Sequence, residues 1–595
     1  MKVNAIINIE NKWLIRILFA VLFVYLLLRG IFVEPLLDEL GTLHWYIQTG
    51  NIINENAVLD ANNHLLNSFF SHYAFRLFGD HLIVYRLLAL LSFPVYFFSA
   101  KKLVIENIKQ FPLIVFLALI SIHWVFDYFS LSRGYAPSLA FLMLGMSYIS
   151  DWNKHNKAFH LTIILASFVL CLAANLSLFV PILLLFGYLH LSLWLQWNER
   201  PISTKIYTYI FSVGFIYIAY KLFKYVIKLK EAGALWWGSK EGLWEVTGKS
   251  VSQNIFFTDS EYIKYGLLLL LLILFILLIL ALIKTNLKEF ILSIQFWAFT
   301  LFILSIIAAV LQVKIMDVNY PQDRVAMYLV LLFIISFGSL LSEQRLLKWS
   351  IALLLWFPIS FLSKVNLNTT IFSPQDRIHN SFYEDVQKLI SPHDVLTADY
   401  VAHLCYSYAA RKELKPKMAS LNHSESLNEE DFHLSSIYGN IKNWSNYTCV
   451  LSDDITQMKL YKRNSALDKT ILLDSSLQDL KSDGMYLTLL DYHIPKNNRY
   501  SSLQINVEGD FLLTKGMLSF DLIEDMRGAE KKSINYNSTA FYWYFGLKKN
   551  YSLNYSSIVK LDDNQNKTLK FYMYNPELGE AKLTSMKIKI QGIKK

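Results

Sequence analysis

Long apolar runs occupy the first 364 residues of this 595-residue chain, and they limit its possible folds more than any other feature. A helix needs about twenty consecutive apolar residues to cross the hydrocarbon core of a bilayer. About eleven runs approach that length, which predicts a polytopic α-helical membrane domain. The runs lie near residues 13–33, 81–104, 111–127, 134–150, 158–175, 177–195, 205–224, 263–283, 289–312, 325–341 and 347–364.

The charge pattern agrees with a membrane domain and predicts its orientation. Hydrophobic residues make up 54% of the chain and charged residues only 17%, which is less charge than a soluble protein carries. Much of the positive charge, as at Lys101, Lys154 and Lys288, falls in loops between alternate runs, which is typical of cytoplasmic loops. With an odd number of spans, we expect the C-terminal region outside. No basic tract carries a nucleic-acid-binding motif, so we expect no nucleic-acid partner.

The apolar runs stop near residue 365, where a segment rich in Asn, Thr and Ser begins. We therefore predict a transmembrane domain at 1–365, a small extracytoplasmic α/β region at 366–470, and an extracytoplasmic β-sandwich-like domain at 471–595. The last prediction rests on short runs of alternating residues separated by polar turns. Cys405 and Cys449 both fall in the outer region, and the sequence leaves open whether they pair.

A long polar segment at 34–80 follows the first run, and long connections in compact proteins are usually functional. It contains Asp38 and Glu39 near its start. A carboxylate beside a low-dielectric boundary is suited to act as a general base, because partial loss of water raises its pKa. The alternative is that both residues are ordinary solvated acids of a loop.

Asn63 and His64 follow in the same segment, at the start of an amphipathic run at 62–78 that is suited to the membrane interface. Their side chains are candidates for hydrogen bonds to a sugar or a phosphate. The alternative is structural, with an Asn at a helix cap and a His in a plain polar contact.

Four basic residues are candidates for binding an anionic group at the outer side: Arg86, Arg133, Arg324 and Lys240. A guanidinium at the depth of a span end is costly unless it is paired, and its forked shape matches a phosphate. The alternatives are that these side chains reach to lipid headgroups, or that Asp323 neutralises Arg324.

Several short motifs occur in a fixed order along the first part of the chain. They are Asp38-Glu39, Asn63-His64-Leu65-Leu66, Leu77-Phe78-Gly79 with Tyr85-Arg86-Leu87, Ser132-Arg133-Gly134-Tyr135, and Pro321-Gln322-Asp323-Arg324. In this order, over roughly residues 10–345, the chain resembles the GT-C glycosyltransferase superfamily. It is most similar to the branch that contains protein O-mannosyltransferases and the aminoarabinose transferase that modifies lipid A.

The resemblance implies an inverting transfer of a sugar from a polyprenyl-phosphate donor to a lipid, glycan or protein acceptor on the outer face. It implies that Asp38 is the catalytic carboxylate, supported by Glu39. From their residue types, we expect the four basic residues to hold the donor phosphate, and Asn63, His64 and Tyr135 to contact substrate. The chain departs from the family at His64-Leu65-Leu66, where His-Pro-Pro is common. We expect no cofactor and do not favour a divalent metal. We expect a bacterial inner-membrane protein with a periplasmic C-terminal domain.

Two other classes of function stay open on the sequence alone. One is a transporter or flippase for lipid-linked sugars, although the polar residues concentrate at one face rather than at mid-membrane. The other is a membrane-anchored carbohydrate-binding protein whose platform would be Tyr542, Trp543, Tyr544 and Tyr572. The alternative for these four residues is that they form the core of the β-sandwich.

Overall fold

The computed structural model describes residues 12–155, 157–372, 374–419, 427, 429–482, 484–495, 499–515, 520–528, 530, 532–561, 566–575 and 578–594. The chain forms two compact units. The helical unit comprises Met1–Val33 and Gly50–Phe372, and the β-rich unit comprises Glu34–Thr49 and Ser373–Lys595. The short segment after the first helix therefore folds with the distant C-terminal half of the chain.

Helices are found in both units, and most of them belong to the helical unit. In chain order they are α1 (Lys12–Phe32), α2 (Leu37–Thr42), α3 (Leu65–Phe78), α4 (Leu82–Tyr85), α5 (Leu87–Asn107), α6 (Pro112–Ile120), α7 (His123–Asp127), α8 (Tyr135–His155), α9 (Ala158–Ala174), α10 (Phe179–Leu195), α11 (Ile202–Glu231), α12 (Lys249–Phe256), α13 (Glu261–Lys284), α14 (Leu287–Leu292), α15 (Ile294–Met316), α16 (Met327–Ser342), α17 (Trp356–Ser363), α18 (Asn380–Leu389), α19 (Tyr400–Ala410) and α20 (Phe541–Phe545).

Among the described residues, seven helices are long and apolar enough to cross a membrane, or eight if the bent pair Pro112–Ile120 and His123–Ser130 forms one span. The predicted count of about eleven is therefore not confirmed, although each predicted run has a helical counterpart. Ala158–Ala174 and Leu347–Ser363 are apolar but shorter. The run predicted at 134–150 is α8, whose last turns are polar.

A buried ion pair ties α1 to α7 in the helical unit. The guanidinium of Arg29, fully buried, lies 2.9 Å from the carboxylate of Asp127. The same guanidinium donates to the carbonyl of Asn366 at 2.7 Å, and the backbone N–H of Ile371 donates to Asp127 at 3.2 Å. Each of the two buried charges therefore has a partner. If one partner were removed, the remaining unpaired charge would strongly destabilise the fold.

The β-rich unit contains three four-stranded sheets. Their strand orders are β1-β2-β4-β3, β10-β7-β12-β5 and β6-β11-β8-β9. The strands are β1 (Leu396–Ala398), β2 (Phe432–Ser435), β3 (Tyr447–Ser452), β4 (Lys459–Arg463), β5 (Lys469–Ser482), β6 (Tyr486–Ile494), β7 (Tyr500–Lys515), β8 (Asp521–Arg527), β9 (Ser533–Ala540), β10 (Asn550–Lys560), β11 (Lys567–Tyr574) and β12 (Glu580–Lys594).

The first sheet is mixed and the other two are antiparallel. Strands β1 and β2 pair in parallel, beside α18 and α19. The two antiparallel sheets face each other across a shared apolar core that includes Ile505 and Val507 of β7 and Leu569 and Phe571 of β11. Burial in β11 alternates residue by residue, as a strand with one core face and one outer face requires.

The predicted platform of Tyr542, Trp543, Tyr544 and Tyr572 is wrong as a set. The first three lie in the short helix α20, and Trp543 and Tyr544 are only 5% and 0% exposed because they pack into the core. Tyr572 lies on β11 and is half-buried. Cys405 is buried, Cys449 is exposed, and both are free thiols.

Glu524 of β8 is a buried carboxyl between the two antiparallel sheets, and it makes the stability of the unit depend on pH. It accepts hydrogen bonds from Ser557 and, at 3.4 Å, from Asn537. Burial raises the pKa of Glu524 from 4.5 to about 7. The folded state therefore keeps a proton that the unfolded state releases, so the free energy of unfolding falls as pH rises from 4.5 to 7.

We predict that Glu524→Gln removes this pH dependence. The variant should be more stable than the wild type by up to about 3 kcal/mol at pH 8 and about equal to it at pH 4.5. Thermal melts of the full chain across this range provide the measurement, with the exposed Glu508 as the control (Glu508→Gln). Parallel pH profiles for the wild type and Glu524→Gln would refute the prediction.

Candidate active site

The two candidate carboxylates lie in the first turn of α2, within the β-rich unit. The carboxylate of Glu39 turns back and accepts the backbone N–H of Leu36 at 3.1 Å, so it caps its own helix. Glu39 is 3% exposed, whereas Asp38 is half-buried. The hydroxyl of Thr42 donates to the backbone carbonyl of Asp38 at 2.9 Å. Glu39 thus serves the helix, and Asp38 is the better candidate for chemistry.

The segment that carries α2 is anchored to the C-terminal part of the β-rich unit. Leu40 is buried in the same core as Ile378 and Tyr383. After α2 the chain makes one π-helical turn, in which the ring of His44 stacks on Trp543 at 4.8 Å. These contacts fix the backbone that follows Asp38.

Polar contacts reinforce this anchor. The side chain of Gln48 donates to the carbonyl of Tyr542 at 3.3 Å and lies 2.9 Å from Nδ1 of His44. Arg411 donates to the carbonyl of Trp543 at 2.9 Å. Burial, and then the nearby Arg411, lower the pKa of His44 well below its ordinary value, so His44 is neutral. Its role is to hold the segment.

Sequence reasoning missed this anchor because it treated residues 34–80 as one polar segment. The signal was present as apolar residues at Leu40, Leu43, Tyr46 and Ile47, which share one helical face. All four are buried in the structure.

In the helical unit, the structure brings three predicted site residues together around the ring of a fourth, Tyr135. We call His64, Arg133, Tyr135 and Arg324 the Tyr135 cluster. His64 meets the Tyr135 ring edge-on at 4.6 Å, and the guanidinium of Arg133 lies 5.7 Å from the ring centroid. Nε of Arg324 donates to the Tyr135 hydroxyl at 3.2 Å. Two guanidinium groups thus share one tyrosine, an arrangement suited to an anionic ligand.

Neighbouring loops hold the cluster in place. Nδ1 of His64 lies 3.0 Å from the carbonyl of Ala174, at the end of α9. The buried side chain of Asn67 in α3 donates to the carbonyl and the hydroxyl of Ser132, both at 3.2 Å. Arg133 in turn donates to the side-chain oxygen of Asn62. The loop before α3 and the loop before α8 are therefore joined directly.

Gly134 permits this close approach. A Cβ atom at Gly134 would lie 1.9 Å from the carbonyl oxygen of Ala174 and 2.7 Å from the His64 ring. Backbone cannot move aside as a flexible side chain can, so we predict that Gly134→Ala destabilises the protein by about 3 kcal/mol. Thermal unfolding in detergent measures this effect. Gly187→Ala is the control, since nothing lies within 4 Å of its added Cβ, and equal melting temperatures for both variants would contradict the prediction.

The other predicted residues have different surroundings. Asn63 donates to the carbonyl of Ile52 at 2.8 Å. Arg86 is fully buried and donates to the carbonyl of Val33 at 2.7 Å, just beyond the end of α1. Lys240 is 48% exposed and lies 2.6 Å from Asp317. The structure does not place Arg86 or Lys240 in the Tyr135 cluster, and their contact with a phosphate stays a prediction.

Arg324 has an additional aromatic partner, and the sequence did not predict this pairing. Its guanidinium lies 5.1 Å from the ring centroid of Trp237, in the loop between α11 and α12. This loop is fixed by Asn319, whose amide donates to the carbonyls of Trp236 at 2.9 Å and Gly238 at 3.0 Å. Arg324 is half-buried, so its charge is partly shielded from water and keeps some access to a ligand.

Within the described residues, no group of three or more His, Cys, Asp or Glu side chains has a geometry that could hold a metal ion.

No family model matches the chain, and no curated protein matches it. The similar solved structures include two that cover most of this chain. One is ArnT from Cupriavidus metallidurans. Its structure bound to undecaprenyl phosphate has 10% identity and a TM-score of 0.39, covering 76% of this chain and 98% of that one. Its apo structure has 11% identity and a TM-score of 0.36, covering 75% and 97%.

The second enzyme is the arabinosyltransferase EmbB from Mycobacterium smegmatis, with 9% identity and a TM-score of 0.32, covering 97% of this chain and 64% of that one. A crystal structure of the infectious bursal disease virus VP2 subviral particle also matches, with 12% identity and a TM-score of 0.16, over 25% of this chain and 38% of that one. At these scores, an assignment of activity rests on the chain's own residues.

Proposed function

We propose that this protein is a membrane glycosyltransferase that transfers a hexosyl or pentosyl group from a polyprenyl-phosphate donor to a lipid, glycan or protein acceptor. The observation that carries the proposal is the Tyr135 cluster, in which Arg133 and Arg324 flank one tyrosine in a helical unit. Guanidinium groups in partly desolvated surroundings bind phosphate strongly.

A lipid-linked donor fits this chain better than a soluble sugar nucleotide. The helical unit offers apolar surfaces to an isoprenoid tail, and α3 exposes an apolar face with Phe69, Tyr73, Leu77 and Phe78 between 53% and 75% exposed. That face is suited to the membrane interface, where the lipid phosphate of a donor would lie. On the loop charges, we propose that the β-rich unit lies on the outer side of the membrane. We further propose that this membrane is a bacterial inner membrane, which makes the unit periplasmic.

The reaction follows from the residue types. An acceptor hydroxyl attacks the anomeric carbon of the donor sugar, and Asp38 takes the hydroxyl proton. The bond between the anomeric carbon and the phosphate oxygen breaks on the opposite side, which inverts the configuration. The electron pair leaves with polyprenyl phosphate, whose negative charge Arg133 and Arg324 stabilise. No step in this scheme calls on a metal or a cofactor.

The test uses the full-length protein in nanodiscs with radiolabelled polyprenyl-phosphate sugars of several types. We expect the label to move from the lipid to a more polar acceptor, with equimolar release of polyprenyl phosphate. Movement of intact donor across the membrane without release of polyprenyl phosphate would instead identify a flippase and refute the proposal.

A further inference from the structure

The outer face of the sheet β6-β11-β8-β9 carries a group of tyrosines that the proposed transfer does not use. Tyr486 of β6 stacks on Tyr574 of β11 at 5.2 Å and meets Tyr572 edge-on at 5.9 Å. Tyr486 is 61% exposed and Tyr536 of β9 is 56% exposed. Large aromatic rings left open to water in this density mark an interaction surface.

The register of the strands makes these tyrosines one surface. Tyr574 is opposite Tyr486 on one side and Asp521 on the other, and Tyr572 comes two residues earlier on the same face of β11. Asp525 lies between Lys570 and Tyr536 in the next row. Burial, and then the proximity of Tyr572, raise the pKa of Tyr536 to about 12. We call Tyr486, Tyr536, Tyr572 and Tyr574 the tyrosine patch.

A buried carboxylate in the same face points to a ligand. Asp525 is 3% exposed, and its Oδ2 accepts from Nε of Arg527 at 2.6 Å. Within the described part of the chain, its other oxygen, Oδ1, is buried and has no hydrogen-bond partner. A buried acceptor without a donor costs free energy, so an external hydroxyl that reached Oδ1 would be favourable.

We propose that the tyrosine patch, with Asp525 and Arg527, binds a carbohydrate chain. Tyrosine rings offer flat apolar surfaces to the C–H faces of sugar rings. Asp525 accepts from sugar hydroxyls and Arg527 donates to them, so the pair recognises a group that is both donor and acceptor. The charges interspersed on this face, including the pair Lys570 and Asp491 at 3.4 Å, are unsuited to a lipid tail.

Full-length protein in nanodiscs, applied to a printed array of neutral and acidic hexose and pentose oligosaccharides, tests this inference. We expect binding to at least one class, weakened at least tenfold in the double variant Tyr486→Ala and Tyr572→Ala. Tyr438→Ala is the matched control, because Tyr438 is 52% exposed in the same unit but lies outside this sheet.

A second variant separates ligand binding from folding. Asp525→Asn keeps the shape of the side chain and should weaken binding about fivefold with an unchanged melting temperature. Absence of binding to every class, or equal binding by the double variant and Tyr438→Ala, would overturn the proposal. A third outcome would also overturn the proposal: the wild type is a dimer that binds no glycan, and the double variant is a monomer. The tyrosine patch would then be a protein interface.

Discussion

Asp38→Asn is expected to reduce sugar transfer by about 10²–10⁴-fold, the usual contribution of a general base. The substitution keeps the size of the side chain and removes its ability to take a proton. Of the two carboxylates in α2, Asp38 is partly exposed, whereas the side chain of Glu39 is engaged in capping the helix. Asp38 is therefore the one available to take a proton. The measurement is the initial rate of label transfer from a polyprenyl-phosphate sugar by purified protein in nanodiscs.

The matched control for this substitution is Glu55→Gln, which removes an exposed carboxylate from the following loop. It should retain the wild-type rate. Glu39→Gln is expected to lower the melting temperature, since an amide accepts the capping N–H of Leu36 less strongly than a carboxylate. Near wild-type transfer by a folded Asp38→Asn protein would remove Asp38 as the base.

Arg324→Ala is expected to weaken donor binding by about 10- to 100-fold, because a charge-assisted hydrogen bond contributes about 1.5–3 kcal/mol. The guanidinium of Arg324 is held by the Tyr135 hydroxyl and lies beside Trp237, so it is already oriented before a ligand arrives. The effect should be seen in the KM for donor and in the affinity for polyprenyl phosphate alone. It should be smaller in Arg324→Lys, which keeps the charge.

Two further variants accompany Arg324→Ala: one tests whether the orientation of the Arg324 guanidinium affects donor binding, and the other is a control for loss of positive charge. Tyr135→Phe removes only the hydroxyl that holds Arg324, and we expect donor binding about threefold weaker. Lys264→Ala removes a basic residue that lies 3.2 Å from Glu261 at the start of α13, and it should bind donor as the wild type does. If Arg324→Ala and Lys264→Ala have the same donor affinity, the phosphate does not bind at Arg324.

The local sequence predicted the positions of the helices well, but it predicted less well how many of them are long enough to cross a membrane. Runs of apolar residues predicted helices at each position, because a helix in a bilayer must satisfy its backbone internally. They could not separate a spanning helix from a short or broken one. α9 has 17 residues, and the stretch at 112–130 bends by 49° between Ile120 and His123.

In the candidate site, too, the sequence predicted local motifs but not the contacts between distant parts of the chain. The motifs with His64, Arg133, Tyr135 and Arg324 were identified from order along the chain, and the structure brings these four residues together. The anchoring of Asp38 was not predicted, because the contact between His44 and Trp543 joins residues about 500 positions apart. No local pattern encodes such a contact. The burial of Trp543 likewise depends on the core that surrounds α20.

The most direct measurement is a cryo-EM structure of the full-length protein in a nanodisc containing polyprenyl phosphate. We predict density for the lipid phosphate in contact with the guanidinium groups of Arg133 and Arg324, and a solvent-accessible cavity at the carboxylate of Asp38. Phosphate density away from both arginines, or an Asp38 side chain that faces no cavity, would contradict the assignment of this protein as a glycosyltransferase.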